Sequence, residues 1–190
     1  MKIIAVIPAR LNSTRLPNKL LRDICGKTLI RRTYEATKNS SLFDDVLVVT
    51  NSEEILKELK NNQIKFLFDK NQYETGTDRI AGVASDINAD IIINVQGDEP
   101  FINAKTIKLI INVFKNDFDK SVGIVSVMTP ISDDLELNNP NNVKVITDEA
   151  NNAIYFSRYP IPFKRNINTS VPHKHIGCLL YTSPSPRDRG

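Results

Sequence analysis

Residues 9–19 read Ala-Arg-Leu-Asn-Ser-Thr-Arg-Leu-Pro-Asn-Lys, which places Arg10, Arg15 and Lys19 in one segment with the hydroxyls of Ser13 and Thr14. Three cations there could gather a polyphosphate and offset the charge that builds on a transferring phosphoryl group. The segment holds no glycine and matches neither G-x-G-x-x-G nor the Walker A pattern. A solvated basic loop is the plainer alternative. Further along, an apolar run at residues 91–96 meets Gly-Asp-Glu-Pro at 97–100. Asp98 is the best single candidate for holding Mg²⁺, which takes oxygen ligands and binds through one or two carboxylates plus substrate phosphates. Glu99 would point elsewhere, and in a purely structural reading either acid only caps the following turn.

Three shorter patterns carry weaker chemistry. Thr75-Gly76-Thr77-Asp78-Arg79 opens a helix, where free backbone N–H groups attract anions or carbonyl-rich bases and Thr77 can serve as N-cap. Most such sequences only cap helices. Tyr155-Phe156-Ser157-Arg158 ends a strand on an arginine suited to a carboxylate, or to a surface salt bridge. His173-Lys174-His175 has metal-like spacing without nearby acids, so zinc is not favoured.

These residues act together only if the fold brings them to one edge. The β-branched apolar run at residues 2–7 suits a strand buried on both faces, with Pro8 ending it. Periodicity then predicts strands at 45–50, 64–68 and 91–95, and helices at 28–39, from a Ser52 cap to about 60, at 77–87 and at 104–114. Alternating β and α predicts a three-layer, Rossmann-like α/β sheet, mostly parallel with right-handed crossovers, whose ligands bind beyond the carboxyl ends of the strands. After residue 114 the rhythm changes. Strand-like segments at 122–127, 143–148 and 153–156, an Asn- and Asp-rich loop at 132–142 and a turn at Asn151-Asn152 predict an antiparallel excursion. Residues 181–190 contain no Asn, Ile or Lys and are rich in Pro, Ser and Arg, which predicts a disordered tail.

Composition narrows the function classes. With 25 Lys plus Arg against 22 Asp plus Glu in 190 residues, the net charge of +3 argues against a nucleic-acid arm or a polybasic membrane anchor. No aromatic residues interleave with the arginines of the first loop, which also disfavours single-strand binding. A content of 41% hydrophobic and 25% charged residues fits one globular domain. No apolar run approaches the ~20 residues that cross a bilayer. The expectation is a soluble, cytoplasmic protein in which Cys25 and Cys178 are incidental.

Four motifs in order resemble one family: Ile-Pro-Ala-Arg-x-x-Ser-x-Arg-Leu-Pro-x-Lys at 7–19, Gly-Thr-Asp-Arg at 76–79, Asn-Val-Gln-Gly-Asp-Glu-Pro at 94–100 and Tyr-Phe-Ser-Arg at 155–158. They look like the 3-deoxy-manno-octulosonate cytidylyltransferases, or CMP-KDO synthetases, over residues 1 to about 177. CMP-sialate synthetases share the Ile-Pro-Ala-Arg start but continue differently. The resemblance implies a nucleotidyltransferase that joins CTP and 3-deoxy-D-manno-octulosonate into CMP-octulosonate and pyrophosphate, with Mg²⁺, for lipopolysaccharide. It implies that Arg10, Ser13, Arg15 and Lys19 hold the CTP phosphates, and that Gly76, Thr77, Arg79 and Gln96 lie around nucleotide and sugar. Asp98 would bind Mg²⁺, and Arg158 and His175 would face the sugar acid. The complete protein is expected to be a homodimer.

Two departures stand out. Asn18 replaces the usual glycine, at a cost in loop strain if a positive φ is needed. Residues 178–190 do not resemble the family, so they are expected to be a foreign tail that replaces a dimer-forming region and a second metal-binding aspartate. A different class, a nucleotide-binding domain without catalysis, would keep the fold but lack the Asp98, Arg15 and Lys19 set.

Overall fold

The computed structural model describes residues 1–11, 16–163 and 171–182. The chain forms two compact units, residues 1–125 with 178–190, and residues 126–177.

The first unit is built around β1 (Ile3–Ala9), whose seven residues are all buried. A 3-10 turn at Lys19–Leu21 leads to the short hairpin strands β2 (Asp23–Ile24) and β3 (Lys27–Thr28). Then follow α1 (Leu29–Asn39), β4 (Asp45–Thr50), α2 (Glu53–Asn61), β5 (Phe66–Phe68), α3 (Gly76–Val83), β6 (Ile91–Val95) and α4 (Ala104–Asn116). The helices start where side chains take up free N–H groups: Thr28, Ser52 and Asn103 cap α1, α2 and α4. Each then buries one apolar stripe, for instance Ile55, Leu56 and Leu59 of α2.

Strands run in the order β5-β4-β1-β6, all parallel, with Val6 opposite Leu47 on one side and Asn94 on the other. The chain passes outward from β1 through α1 to β4 and through α2 to β5, and then back through α3 to β6, connections for which the right-handed crossover is the rule. By that rule the return puts α3 on the face opposite α1 and α2; Ile80 and Val83 of α3 pack on Ile4, Val6, Val49 and Ile92. The direction of winding therefore reverses between β1 and β6.

Pro8 does not end the first strand. Pairing with β6 stops at Val6, while Pro8 and Ala9 continue opposite Val49 and Thr50 of β4. A residue without an N–H is tolerated where one flank has no ladder. Nor is Thr77 the cap of α3. Thr75 accepts from the Asp78 N–H, and the Asp78 carboxylate accepts from the Thr75 N–H, a reciprocal capping box that starts the helix at Gly76.

The second unit contains most of β7 (Ile124–Pro130), α5 (Asp134–Asn138), β8 (Val143–Thr147), β9 (Ala153–Ser157) and the start of β10 (His173–Thr182). β8 pairs antiparallel with β9 and with His173–His175 of β10, so the antiparallel excursion is as the sequence pattern predicts. α5 interrupts the loop expected at 132–142. Asp133 accepts from the Glu136 N–H, and Glu136 in turn accepts from the Ser132 N–H. β10 runs through residue 177 to Thr182, and its residues Leu179–Thr182 pair antiparallel with β6. Residues 183–190 lie outside the described residues.

Glu136 also pairs with the Lys174 ammonium, and this bond, with the Ser132 donors, holds its carboxyl down to about 2 from an ordinary 4.5. A depressed carboxylate stabilises the fold fully above its unfolded value, and the contribution disappears as pH falls through the folded value. The urea midpoint should therefore fall between pH 4.5 and about 2 more steeply for the protein than for a Glu136→Gln variant. Parallel curves would remove Glu136 from the acid response.

Candidate active site

In a parallel sheet the reversal of winding opens a crevice at the carboxyl ends of the two strands concerned. Here it brings the loop after β1 next to Gln96-Gly97-Asp98 after β6. Asn18, at φ 55 and ψ 30, adopts the left-handed conformation that a glycine would otherwise supply, and its carbonyl accepts from the Leu21 N–H at 2.9 Å. That turn sends Leu20 inward and leaves Lys19 facing Asp98, whose carboxylate accepts from Nζ at 2.5 Å. Their side chains are 39% and 42% exposed, so both are open to a ligand.

Gly97 makes the approach possible. A Cβ there would lie 3.2 Å from the Pro8 carbonyl and 3.3 Å from the Leu20 methyls. The buried Thr33 hydroxyl of α1 donates to the Gly97 carbonyl at 2.9 Å, which pins the acidic turn from the helix side. Gly76 plays a similar part for α3: a Cβ would stand 3.0 Å from Cγ of Pro8, so the helix start is pressed against the end of β1.

Past the ends of β1 and β4, a cleft of about 290 Å³ is lined by Arg10, Leu11, Asn51, Gln72, Tyr73 and Arg79 among others. Arg10 donates to the Glu74 carbonyl at 3.1 Å, and Asn51 to the Asn71 carbonyl at 3.3 Å, which ties the β5-α3 loop over the strand ends. Arg79 is only 3% exposed, and burial lowers the affinity of its guanidinium for the proton. The Tyr73 ring covers it at 5.4 Å, and the Tyr73 hydroxyl donates to Asp69 at 2.6 Å. That bond holds the Asp69 carboxyl below its usual range and pushes the Tyr73 phenol up. Nη1 of Arg79 has no acceptor among the described residues.

The sequence-derived set is thus partly assembled. Arg10, Lys19, Gly76, Thr77, Arg79, Gln96 and Asp98 belong to strand ends or helix starts of the first unit. Ser13 and Arg15 lie outside the described residues. Arg158 and His175 belong to the second unit. Arg158 is exposed and donates from Nη1 to the Pro140 carbonyl at 2.8 Å. His175 has Nδ1 2.9 Å from the Ser126 hydroxyl and an edge contact with Phe156 at 5.3 Å, and burial lowers its pKa. Sequence reasoning missed Tyr73 with Asp69, buried Asn94, and Lys144. The signal for Tyr73 is Gly82, a glycine inside a helix, because a Cβ there would strike the Tyr73 hydroxyl at 2.0 Å.

For a metal, the described residues hold no group of three or more His, Cys, Asp or Glu side chains. The exposed Asp98 carboxylate is of the chemical type that suits Mg²⁺, which takes oxygen ligands from carboxylates, phosphates and water.

The winding reversal, the cations after β1 and the acid after β6 define a nucleotidyltransferase-like α/β protein. Residues 4–183 match the model of the cytidylyltransferase family. A 3-deoxy-manno-octulosonate cytidylyltransferase of Flavobacterium johnsoniae is 49% identical over 182 residues, covering 95% of this chain and 75% of its own. One from Christiangramia forsetii is 43% identical over 188 residues, covering 98% and 76%. A solved structure of CMP:2-keto-3-deoxy-manno-octonic acid synthetase complexed with CTP superimposes with a TM-score of 0.88 at 34% identity, over 96% of this chain and 74% of that one. The chain belongs to the cytidylyltransferase family, among the 3-deoxy-manno-octulosonate cytidylyltransferases.

Gly97→Ala should destabilise the first unit by ~1–3 kcal/mol, since both the Pro8 carbonyl and Leu20 must give way. Gly123, where an added Cβ would meet nothing within 4 Å, is the control. Equal urea midpoints for Gly97→Ala and Gly123→Ala would show that the close approach is no constraint.

Proposed function

We propose that this protein transfers a cytidylyl group from CTP to 3-deoxy-D-manno-octulosonate and releases pyrophosphate. The observation that carries this reading is the meeting of Lys19 and Asp98 at the β1 and β6 ends, in a chain that belongs to this cytidylyltransferase family. The anomeric hydroxyl of the sugar acid attacks the α-phosphorus in line. The bond to the bridging oxygen of pyrophosphate breaks, and the hydroxyl proton is lost. No protein nucleophile is needed, so positioning and charge stabilisation supply the acceleration.

Arg10, Ser13, Arg15 and Lys19 hold the CTP phosphates in this reading. Gly76, Thr77, Arg79 and Gln96 surround nucleotide and sugar in the same reading. Arg158 and His175 receive the sugar acid, Arg158 through its carboxylate. Asp98 would hold Mg²⁺ together with the CTP phosphates. When bound, that ion supplies further charge neutralisation at the reacting phosphates. Binding requires Lys19 and Asp98 to exchange their mutual contact for phosphate and metal. An exposed pair contributes only ~0–1 kcal/mol, so the exchange costs little.

The product is an activated sugar acid, which we assign to cytoplasmic lipopolysaccharide precursor supply by a homodimer. Among the described residues, no helix is long and apolar enough to cross a membrane.

Pyrophosphate release, followed with CTP and a panel of sugar acids, tests the reaction. Release with 3-deoxy-D-manno-octulosonate in preference to sialate is expected, and equal rates would overturn the substrate assignment. Titration calorimetry should show CTP binding ahead of ATP and GTP. Equal affinities would leave only a generic phosphate site.

Lys19→Ala should cut turnover by an amount equivalent to ~2.7–4 kcal/mol, the loss typical of one transition-state donor. Its melting temperature should stay unchanged, because the side chain is polar and partly exposed. Wild-type turnover would exclude Lys19 from the mechanism.

A further inference from the structure

Lys144 is the largest fully buried side chain among the described residues, and it lies on β8, which pairs with β9 on one side and β10 on the other. Its ammonium makes no ion pair with a carboxylate among those residues. Instead, Nζ donates to three backbone carbonyls, at 3.1 Å to Asn139, 2.9 Å to Asn142 and 2.6 Å to Arg158. Those bonds use every donor the ammonium has. Two of the acceptors flank Pro140, and the Pro140 carbonyl accepts from Nη1 of Arg158. The result is a closed circuit. Lys144 holds the loop at 139–142 and the Arg158 carbonyl, while that same loop holds the Arg158 guanidinium. Register supports the arrangement, since Lys144 of β8 lies opposite Ser157, the last residue of β9.

An ammonium is a costly way to fill a core position, because its hydration is lost and three polar bonds only replace it. A leucine or methionine would fill the volume without that cost. What the lysine supplies, and an apolar residue could not, is simultaneous attachment of two separate chain segments at fixed distances. Burial, and then the nearby Arg158 charge, push the lysine below its ordinary range, which is the expected mark of a cation held away from water.

We propose that Lys144 is a positioning residue for the sugar-acid site: it fixes both the backbone from which Arg158 projects and the loop that orients the guanidinium, without touching substrate itself. The proposal rests on the reading of Arg158 as the carboxylate-binding arginine. It predicts a selective kinetic signature, because a displaced guanidinium weakens sugar-acid binding and leaves CTP binding alone.

The test is steady-state kinetics with each substrate varied in turn, for Lys144→Met, Arg158→Ala and the double variant. Lys144→Met keeps the length of the side chain and removes all three donors. Its KM for the sugar acid should rise at least about tenfold while the KM for CTP stays within about twofold, as expected when a binding group is misplaced. In the Arg158→Ala background the same change should add nothing further, since both act through one group. Should Lys144→Met fail to fold, Lys144→Gln, which retains a donor, carries the same comparison. Equal changes in both KM values, or effects that add in the double variant, would make Lys144 merely structural and overturn the proposal. If Arg158→Ala itself leaves the sugar-acid KM unchanged, the fault lies with the assignment of Arg158.

Discussion

Everything at the candidate site depends on β1 lying between two parallel neighbours. A strand covered on both faces must be apolar along its whole length, and Ile3–Ala9 is. Parallel pairing with β4 and β6 then leaves the three carboxyl ends at one edge, so polar groups crowd into the loops that follow. Magnitudes show which interaction holds the site. Each fully buried Val or Ile contributes ~1.5–3 kcal/mol, whereas an exposed ion pair such as Lys19–Asp98 contributes ~0–1 kcal/mol. The sheet places the two charges; their attraction does not build the sheet. That division leaves them free to change partners.

Close backbone approach converts this edge into a specific geometry. Gly97 sits against the Pro8 carbonyl and Leu20, Gly76 against the Pro8 ring, and Thr33 reaches from α1 to the Gly97 carbonyl. Three elements distant in sequence thus meet at the end of one strand. Asn18 completes the set by taking a left-handed turn, at φ 55, that directs Leu20 into the gap. Any Cβ added at Gly97 would press on the segment that carries Lys19.

Legibility followed the range of the forces involved. β4 and β6 were readable to the residue, and α1, α2 and α4 nearly so, because apolar periodicity and caps are local signals. Arg10, Lys19 and Asp98 were readable because charges in strand-end loops stand out against apolar strands. Pro8 was misread because its tolerance depends on where pairing with β6 stops, a fact of tertiary register. The cap of α3 was placed two residues late because Thr75 and Thr77 are equally good capping types, and only the reach of Asp78 back to Thr75 decides between them. The last strand was not read from the sequence at all, because its apolar residues precede a polar segment, and composition averaged over both hides the pairing of Leu179–Thr182. Lys144 was invisible for another reason. Its partners are carbonyls, which every residue has.

Two buried cations show how the protein treats charge differently in its two units. Lys144 is saturated by three carbonyls, so it has no donor to offer and serves as an anchor. Arg79 is nearly as deeply buried, yet its cover is the face of Tyr73, which attracts the cation without consuming an N–H. Asp69 holds the Tyr73 hydroxyl and adds a favourable charge from the far side. An unpaired buried donor costs ~1–3 kcal/mol, a cost that Lys144 avoids by bonding carbonyls. The Arg79 guanidinium is instead covered by the Tyr73 ring, and its buried Nη1 has no acceptor among the described residues. In the one unit every donor of the cation bonds the backbone, and in the other the face of a ring takes the place of such bonds.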